Sequence, residues 1–350
     1  MPVLNNTPPW LVKNGNVVDL GLFRDPFKNL NILDADIFGT GTIEPQWFRR
    51  MRLKEWQHFA VISEDYFLGF VVMNSNYLSM SFCYVVDRKT GKLFEHHREV
   101  PGARSKVARE LFDDRTEIVL PGYAIRIANK LDEGKHSVSI DIAEKNGLPA
   151  IRGEIELRED IVNEQPLVVV LPIADNRPLY THKMVCPVSG SVTFGNTTFD
   201  FDGSKDLAML DVQKTFYPHK TMWKWATCAG YDTDGHRIAL NLVQNMIADD
   251  DRYNENVLWV DGKMSRWGGA RFELNPDNTL APWKVRTTDG GCDLQFTPLN
   301  ERAGKINLGV IMSDYHQPFG LFSGTVKDED GKTYTFENFF GVTEYHKARF

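Results

Sequence analysis

Apolar and polar positions alternate with a period of two through much of the 350-residue chain. The pattern is clearest at its end, where Val342, Glu344, His346, Ala348 and Phe350 share one face of an extended strand and Thr343, Tyr345, Lys347 and Arg349 the other. A helix would scramble those two sets. Runs rich in Val, Ile, Phe, Tyr and Thr are separated by Thr90-Gly91, Glu133-Gly134, Asp202-Gly203, Asp234-Gly235, Asp261-Gly262, Asp289-Gly290 and Asp330-Gly331. Such dipeptides suit tight turns between antiparallel strands. Helical periodicity is scarce, and residues 105–112 (SKVARELF), with Ser105 as N-cap, predict one short helix.

Many short strands without crossover helices imply an all-β protein of sandwiches or barrels, not a parallel α/β sheet. The turns at Asp234, Asp261 and Asp289 leave room between them for two or more strands each. A chain of this length favours two packed units. A faint likeness of Lys54-Glu55-Trp56 to Trp223-Lys224-Trp225, and of Tyr84-Val85-Val86-Asp87 to Leu258-Trp259-Val260-Asp261, points to two related β units in tandem. Residues 163–187 carry Pro166, Pro172, Pro178 and Pro187 and are the expected crossover, which places the units at 1–175 and 176–350. Each is expected to be a closed or nearly closed antiparallel sheet, since closure removes exposed edges.

Composition narrows the classes. With 42% hydrophobic and 25% charged residues the chain is an ordinary globular protein. A net charge of -7 and no basic stripe argue against nucleic acid as a partner. No stretch has the run of about 18 apolar residues that spans a bilayer, and the start lacks an export signal, so a cytoplasmic protein without stable membrane insertion is expected. Cys83, Cys186, Cys228 and Cys292 form no CxxC pair and read as buried thiols. Gly39-Thr-Gly41 lacks the third glycine of a dinucleotide loop, so no nicotinamide cofactor is implied. The neighbours His96 and His97 would point to opposite faces of a strand, and Asp249-Asp250-Asp251 lacks calcium-loop spacing, so no metal site is argued. Gly320-Leu-Phe-Ser323-Gly324 resembles a nucleophile elbow with one spacing wrong, which makes Ser323 a strand residue first.

The polar residues in apolar strands carry the chemistry. Glu344 and His346 lie two apart on the face assigned to the interior, where a carboxylate needs a partner or a proton. Desolvation would make Glu344 a general acid with His346 as its partner; a purely structural pair weighs equally. On the strand at 219–229, Trp223 and Trp225 share a face that offers a flat apolar wall, or plain core. Asn241, the run Asn254-Glu255-Asn256 before Trp259, and Gln317 add polar groups that need a ligand or, more commonly, a structural hydrogen bond.

In order, Thr221-Met-Trp-Lys-Trp-Ala226, Ala239-Leu-Asn-Leu242, Glu255-Asn-Val-Leu-Trp259, Pro282-Trp-Lys-Val285, Gln317-Pro-Phe319-Gly-Leu-Phe-Ser323-Gly324 and Gly341-Val-Thr-Glu-Tyr-His-Lys-Ala348 resemble the bacterial domain of unknown function 2804 family over roughly residues 200–350. The first half matches more loosely. In layout, two lipocalin-like β units in one chain, the sequence is remotely similar to the carotenoid hydratase (hydroxyneurosporene synthase) and tocopherol cyclase group. That likeness implies acid chemistry on an isoprenoid alkene without a redox cofactor, and it transfers no individual residue. Three readings follow. The first is a cofactor-independent enzyme acting by proton transfer in hydration, cyclisation or isomerisation on an apolar or amphipathic small molecule. It would use Glu344 and His346, with Trp223, Trp225, Asn241, Asn256, Trp259, Gln317, Phe319 and Ser323 around the ligand. The second is a non-catalytic lipocalin-like lipid or isoprenoid carrier. The third is a carbohydrate-active hydrolase pairing Glu255 with Glu344.

Overall fold

The computed structural model describes residues 2–174, 176–307, 309 and 311–349. Phe350, assigned above to the face of Glu344, lies outside them. The chain is almost entirely β, and it separates into two compact units, Leu4–Val170 with Asp175–Phe216 and Tyr217–Phe350 with Met1–Val3 and Leu171–Ala174. The main changeover falls between Phe216 and Tyr217, later in the chain than the proline-rich segment at 163–187. The reason is pairing. Arg177–Phe194 forms one long strand that is hydrogen-bonded to Ile151–Arg158 on one side and Leu207–Thr215 on the other, so both belong with the first unit. Pro178 and Pro187 sit inside that strand.

In the first unit the antiparallel path runs from Lys92–Pro101 through Leu78–Asp87, Tyr66–Asn74, Lys54–Ile62, Leu207–Thr215, Arg177–Phe194, Ile151–Arg158, Lys135–Ile142, Tyr123–Lys130 and Arg115–Leu120 to Ser105–Lys106. The last strand curls back towards the first ones, since Ser105 Oγ donates to Met73 O at 2.7 Å. This contact overturns the helix expected at 105–112. Ser105–Lys106 pairs with Arg115–Leu120 as a strand, and the backbone N–H groups that follow are taken by side chains: Ala108 N–H by Thr116 Oγ1, Arg109 N–H by Asp114, and Phe112 N–H by Glu110. Side chains that capture N–H groups locally compete with a helical ladder. Among the described residues the α-helix is instead Gln46–Arg52, seven residues long.

The second unit is a nine-stranded antiparallel sheet. Its order is Lys263–Arg266, Val257–Val260, Arg237–Gln244, Lys220–Tyr231, Thr333–Arg349, Met312–Lys327, Cys292–Asn307, Trp283–Thr287 and Ala270–Glu273. The two edge strands are neighbours in sequence, so the sheet curls as a half-barrel. Asp261 and Gly262 both have positive φ (50° and 83°), as the hairpin between Val257–Val260 and Lys263–Arg266 requires. The terminal strand lies in mid-sheet between Lys220–Tyr231 and Met312–Lys327.

Alternation gives this sheet two differently occupied faces. One carries the apolar core: Ala226, Cys228, Leu240, Leu242, Leu258, Trp283, Phe296 and Phe322, with Tyr345 packed against it. Register places Glu344 opposite Trp225 and His346 opposite Trp223, on the reverse face. The face of Val342, Glu344 and Ala348 is buried as well, and the same side carries the buried Trp225, Trp259, Phe319 and Phe340. All four cysteines are buried.

Candidate functional site

Four adjacent strands of the second unit bring polar side chains to that reverse face. The register does the work. Ser313 pairs with Ala348, Tyr315 with His346 and Arg302 with Gln317, so residues distant in sequence stand in one row. Glu344 is 7% exposed and its two oxygens each accept an N–H, from Trp223 Nε1 at 2.5 Å and from Gln317 Nε2 at 3.1 Å. Gln317 is itself oriented, because its Oε1 accepts Arg302 Nη1 at 2.8 Å, and the same Nη1 reaches Tyr315 Oη at 2.9 Å. An acceptor-only carboxylate and a planar guanidinium thus fix which end of the Gln317 amide faces Glu344.

His346 stands beside them. Its Nε2 meets Ser313 Oγ at 2.8 Å and its Nδ1 lies 3.9 Å from Glu344 Oε1, beyond a hydrogen bond. Edge contacts hold the ring, with centroids 4.3 Å from Trp223 and 5.3 Å from Tyr315. Burial drives the imidazole pKa down to about 3 against an opposing pull from Asp314, so His346 is neutral at physiological pH. Tyr217 stacks on Trp223 with ring centroids 5.5 Å apart and planes at 13°.

The remaining expected residues divide. Trp225 Nε1 donates to Asn241 Oδ1 at 2.8 Å and Asn241 Nδ2 donates to the Glu255 carbonyl at 2.7 Å. This chain extends the row on the same face, one strand further. Trp259 is fully buried and pairs with Ala239, two residues along from Asn241. Asn256 bridges two backbone segments: its Oδ1 accepts Val243 N–H and its Nδ2 donates to Gly268 O. Phe319 is fully buried and stacks near Phe340, with ring centroids 6.4 Å apart. Ser323 accepts the Asn338 N–H and lines an open polar groove with Asp293, Gln295, Thr297 and Gly324. It is a strand residue, as its context implied.

Arg302, Ser313, Tyr315 and Tyr217 are the members that sequence reading missed. The first three lie in long strands whose register no short motif encodes. A second polar cluster, in the first unit, was missed as well. Glu159 is fully buried and receives His136 Nε2 at 2.7 Å and His182 Nε2 at 2.5 Å, while His136 Nδ1 meets Asn129 Oδ1 and Gln57 Nε2 donates to the same oxygen. His136 sharing a face with Val138, Ile140 and Ile142 was the available signal. Among the described residues no group of His, Cys, Asp and Glu is arranged to hold a metal ion, and no helix is long and apolar enough to cross a membrane.

The family model described as domain of unknown function (DUF2804) matches residues 4–350. No curated protein matches the sequence. Among solved structures, the crystal structure of CghA with Sch210972 is similar with a TM-score of 0.56 and 11% identity, covering 85% of this chain and 88% of that one. Kievitone hydratase from Nectria haematococca has a TM-score of 0.49 and 8% identity, covering 85% and 88%. At these identities the CghA likeness shows a shared fold, two β units in one chain, and nothing about the reaction.

Proposed function

The chain belongs to the domain of unknown function family DUF2804, and on that premise we propose that it is a cofactor-independent enzyme that moves a proton on an apolar small molecule, with Glu344 as the base. The observation that carries this reading is the buried carboxylate held by two N–H donors, Trp223 and Gln317, beside a neutral imidazole and aromatic rings. N–H donors favour a carboxylate in its accepting role. The role assigned to Glu344 is therefore to take a proton first, where the sequence suggested giving one. Arg302 acts through Gln317 to keep the carboxylate aimed, and Ser313 fixes the His346 ring. The stacked Tyr217 and Trp223 rings and the Trp225 indole supply apolar surface for the ligand body. Isomerisation asks least of this set: a proton leaves one carbon of the ligand for Glu344 and returns to another, so atoms and charge balance without a co-substrate.

The test has two parts. Organic-solvent extraction of the purified protein followed by mass spectrometry identifies what it carries. Incubating that compound and its close analogues with wild type and with Glu344→Gln then reads turnover. The expected result is a loss of at least about 100-fold in kcat with ligand affinity nearly kept, the size usual for removing a positioned base. A compound recovered unchanged from wild type and variant alike would make the protein a carrier.

A further inference from the structure

We propose that the helix Gln46–Arg52, with the loop before it, is a docking surface for anionic lipid bilayers. The helix presents Trp47 at 68% exposure and, one turn on, Met51 at 40%, flanked by the exposed Phe38 (44%) and Ile43 (47%). These are large apolar side chains turned to solvent, where most of the chain's aromatics are buried. The half-buried Phe48 ring contacts both Phe38 and Trp47, with centroids 6.1 and 5.8 Å apart, and so joins the two exposed rings. A contiguous exposed apolar patch marks an interaction site far more often than a scattered residue does.

Charge selects the partner. Of the seven helix residues, QWFRRMR, Arg50 is exposed and Arg52 half-buried, while Arg49 is buried with its Nε on Glu44 O, in a chain whose net charge is -7. A further guanidinium, that of Arg177, stacks on Phe38 at 5.2 Å. The acidic side chains beside this patch are Asp36, which is buried and held by the N–H groups of Phe38 and Gly41, and Glu44. Tryptophan and methionine between arginines match the interface of an anionic bilayer, where the ring sits at headgroup level and guanidinium groups meet lipid phosphates. The helix is far too short to span and lies in the interface. Such docking would bring the protein to the phase where apolar small molecules reside, but it does not depend on the reading of Glu344.

Co-sedimentation of the full chain with vesicles of pure phosphatidylcholine and of phosphatidylcholine with about 30 mol% phosphatidylglycerol tests it. The expected partition coefficient is at least about 10-fold higher on the anionic vesicles, and it falls to the zwitterionic level in Arg50→Glu/Arg52→Glu. Trp47→Ser/Met51→Ser should lose binding to both compositions, with circular dichroism unchanged because both side chains are exposed. Quenching of tryptophan fluorescence by brominated lipid should vanish in Trp47→Phe. Equal binding to both vesicles, or binding indifferent to these substitutions, overturns the proposal. So does a concentration-dependent dimer abolished by Trp47→Ser/Met51→Ser, since a second copy would then cover the patch.

Discussion

Deleting the chain from Gly341 onward is expected to abolish cooperative folding of the C-terminal unit and to leave the product insoluble. The removed segment is the middle of the sheet, not its edge. Residues 341–349 pair with Cys228 back to Lys220 on one side and with Gly320 back to Met312 on the other. Their loss opens two rows of backbone N–H and C=O groups at once and uncovers Ala226 and Cys228, which are fully buried. A net contribution of about 1 kcal/mol for each ladder hydrogen bond, over more than a dozen bonds, already matches the whole stability of a typical domain. The buried Val342, Thr343 and Ala348 are lost in addition. Unpaired central strands are also ready templates for aggregation. A single substitution probes the same seam: at Gly341 a Cβ would stand 2.2 Å from Thr227 O, so Gly341→Val has to push two strands apart. Soluble expression, gel filtration and thermal melts monitored by near-ultraviolet circular dichroism read the outcome. A truncated chain that stays soluble, monomeric and cooperative would show the terminal strand to be an appendage and remove the support beneath Glu344.

The fold was legible because its two signals are local. Period-two alternation identified the terminal strand, and each Asx-Gly or similar dipeptide named above stands at a turn. What alternation cannot say is which face of a doubly buried sheet meets which layer. Glu344 and His346 were rightly placed on one face, but Tyr345, on the other, packs into the apolar core. The helix at 105–112 failed for a different reason: Ser105 has the chemistry of an N-cap, and that same hydroxyl can reach a strand carbonyl, Met73 O, which tertiary pairing delivers. Within the site, Trp223, Trp225, Asn241, Gln317, Glu344 and His346 could be named from polar or aromatic types in apolar strands. Their partners could not. Arg302 and Ser313 become neighbours of Gln317 and His346 only through register across Cys292–Asn307, Met312–Lys327 and Thr333–Arg349. The Glu159 cluster was hidden by the same distance, since its members come from the separate strands Lys54–Ile62, Tyr123–Lys130, Lys135–Ile142 and Arg177–Phe194 and from the residue that follows Ile151–Arg158.

Removing the Glu159 side chain is expected to destabilise the first unit by about 3–5 kcal/mol, the cost of stripping one partner from a buried charge cluster. Glu159, His136 and His182 have no exposed side-chain surface, and the Glu159 backbone N–H is tied to Gly134 O at 2.9 Å, so the cluster cannot relax towards water. In Glu159→Ala the two imidazole Nε2 groups lose their common acceptor, and Asn129 and Gln57 beyond His136 lose their alignment. Acid should reproduce part of the effect. Burial alone would raise the Glu159 pKa; the charge on His182 and the hydrogen bonds from His136 and His182 outweigh it and hold the pKa down to about 2, against an ordinary 4.5. A carboxylate with a depressed folded-state pKa binds protons more readily when unfolded. Its stabilising contribution is complete above pH 4.5 and is lost as the pH falls from there through about 2. Urea denaturation across this pH range, on wild type and Glu159→Ala, should show the gap between the two curves closing as the solution is acidified. Curves that run parallel down to pH 2, or a variant as stable as wild type at neutral pH, would mean that the Glu159 charge is not what holds these strands together.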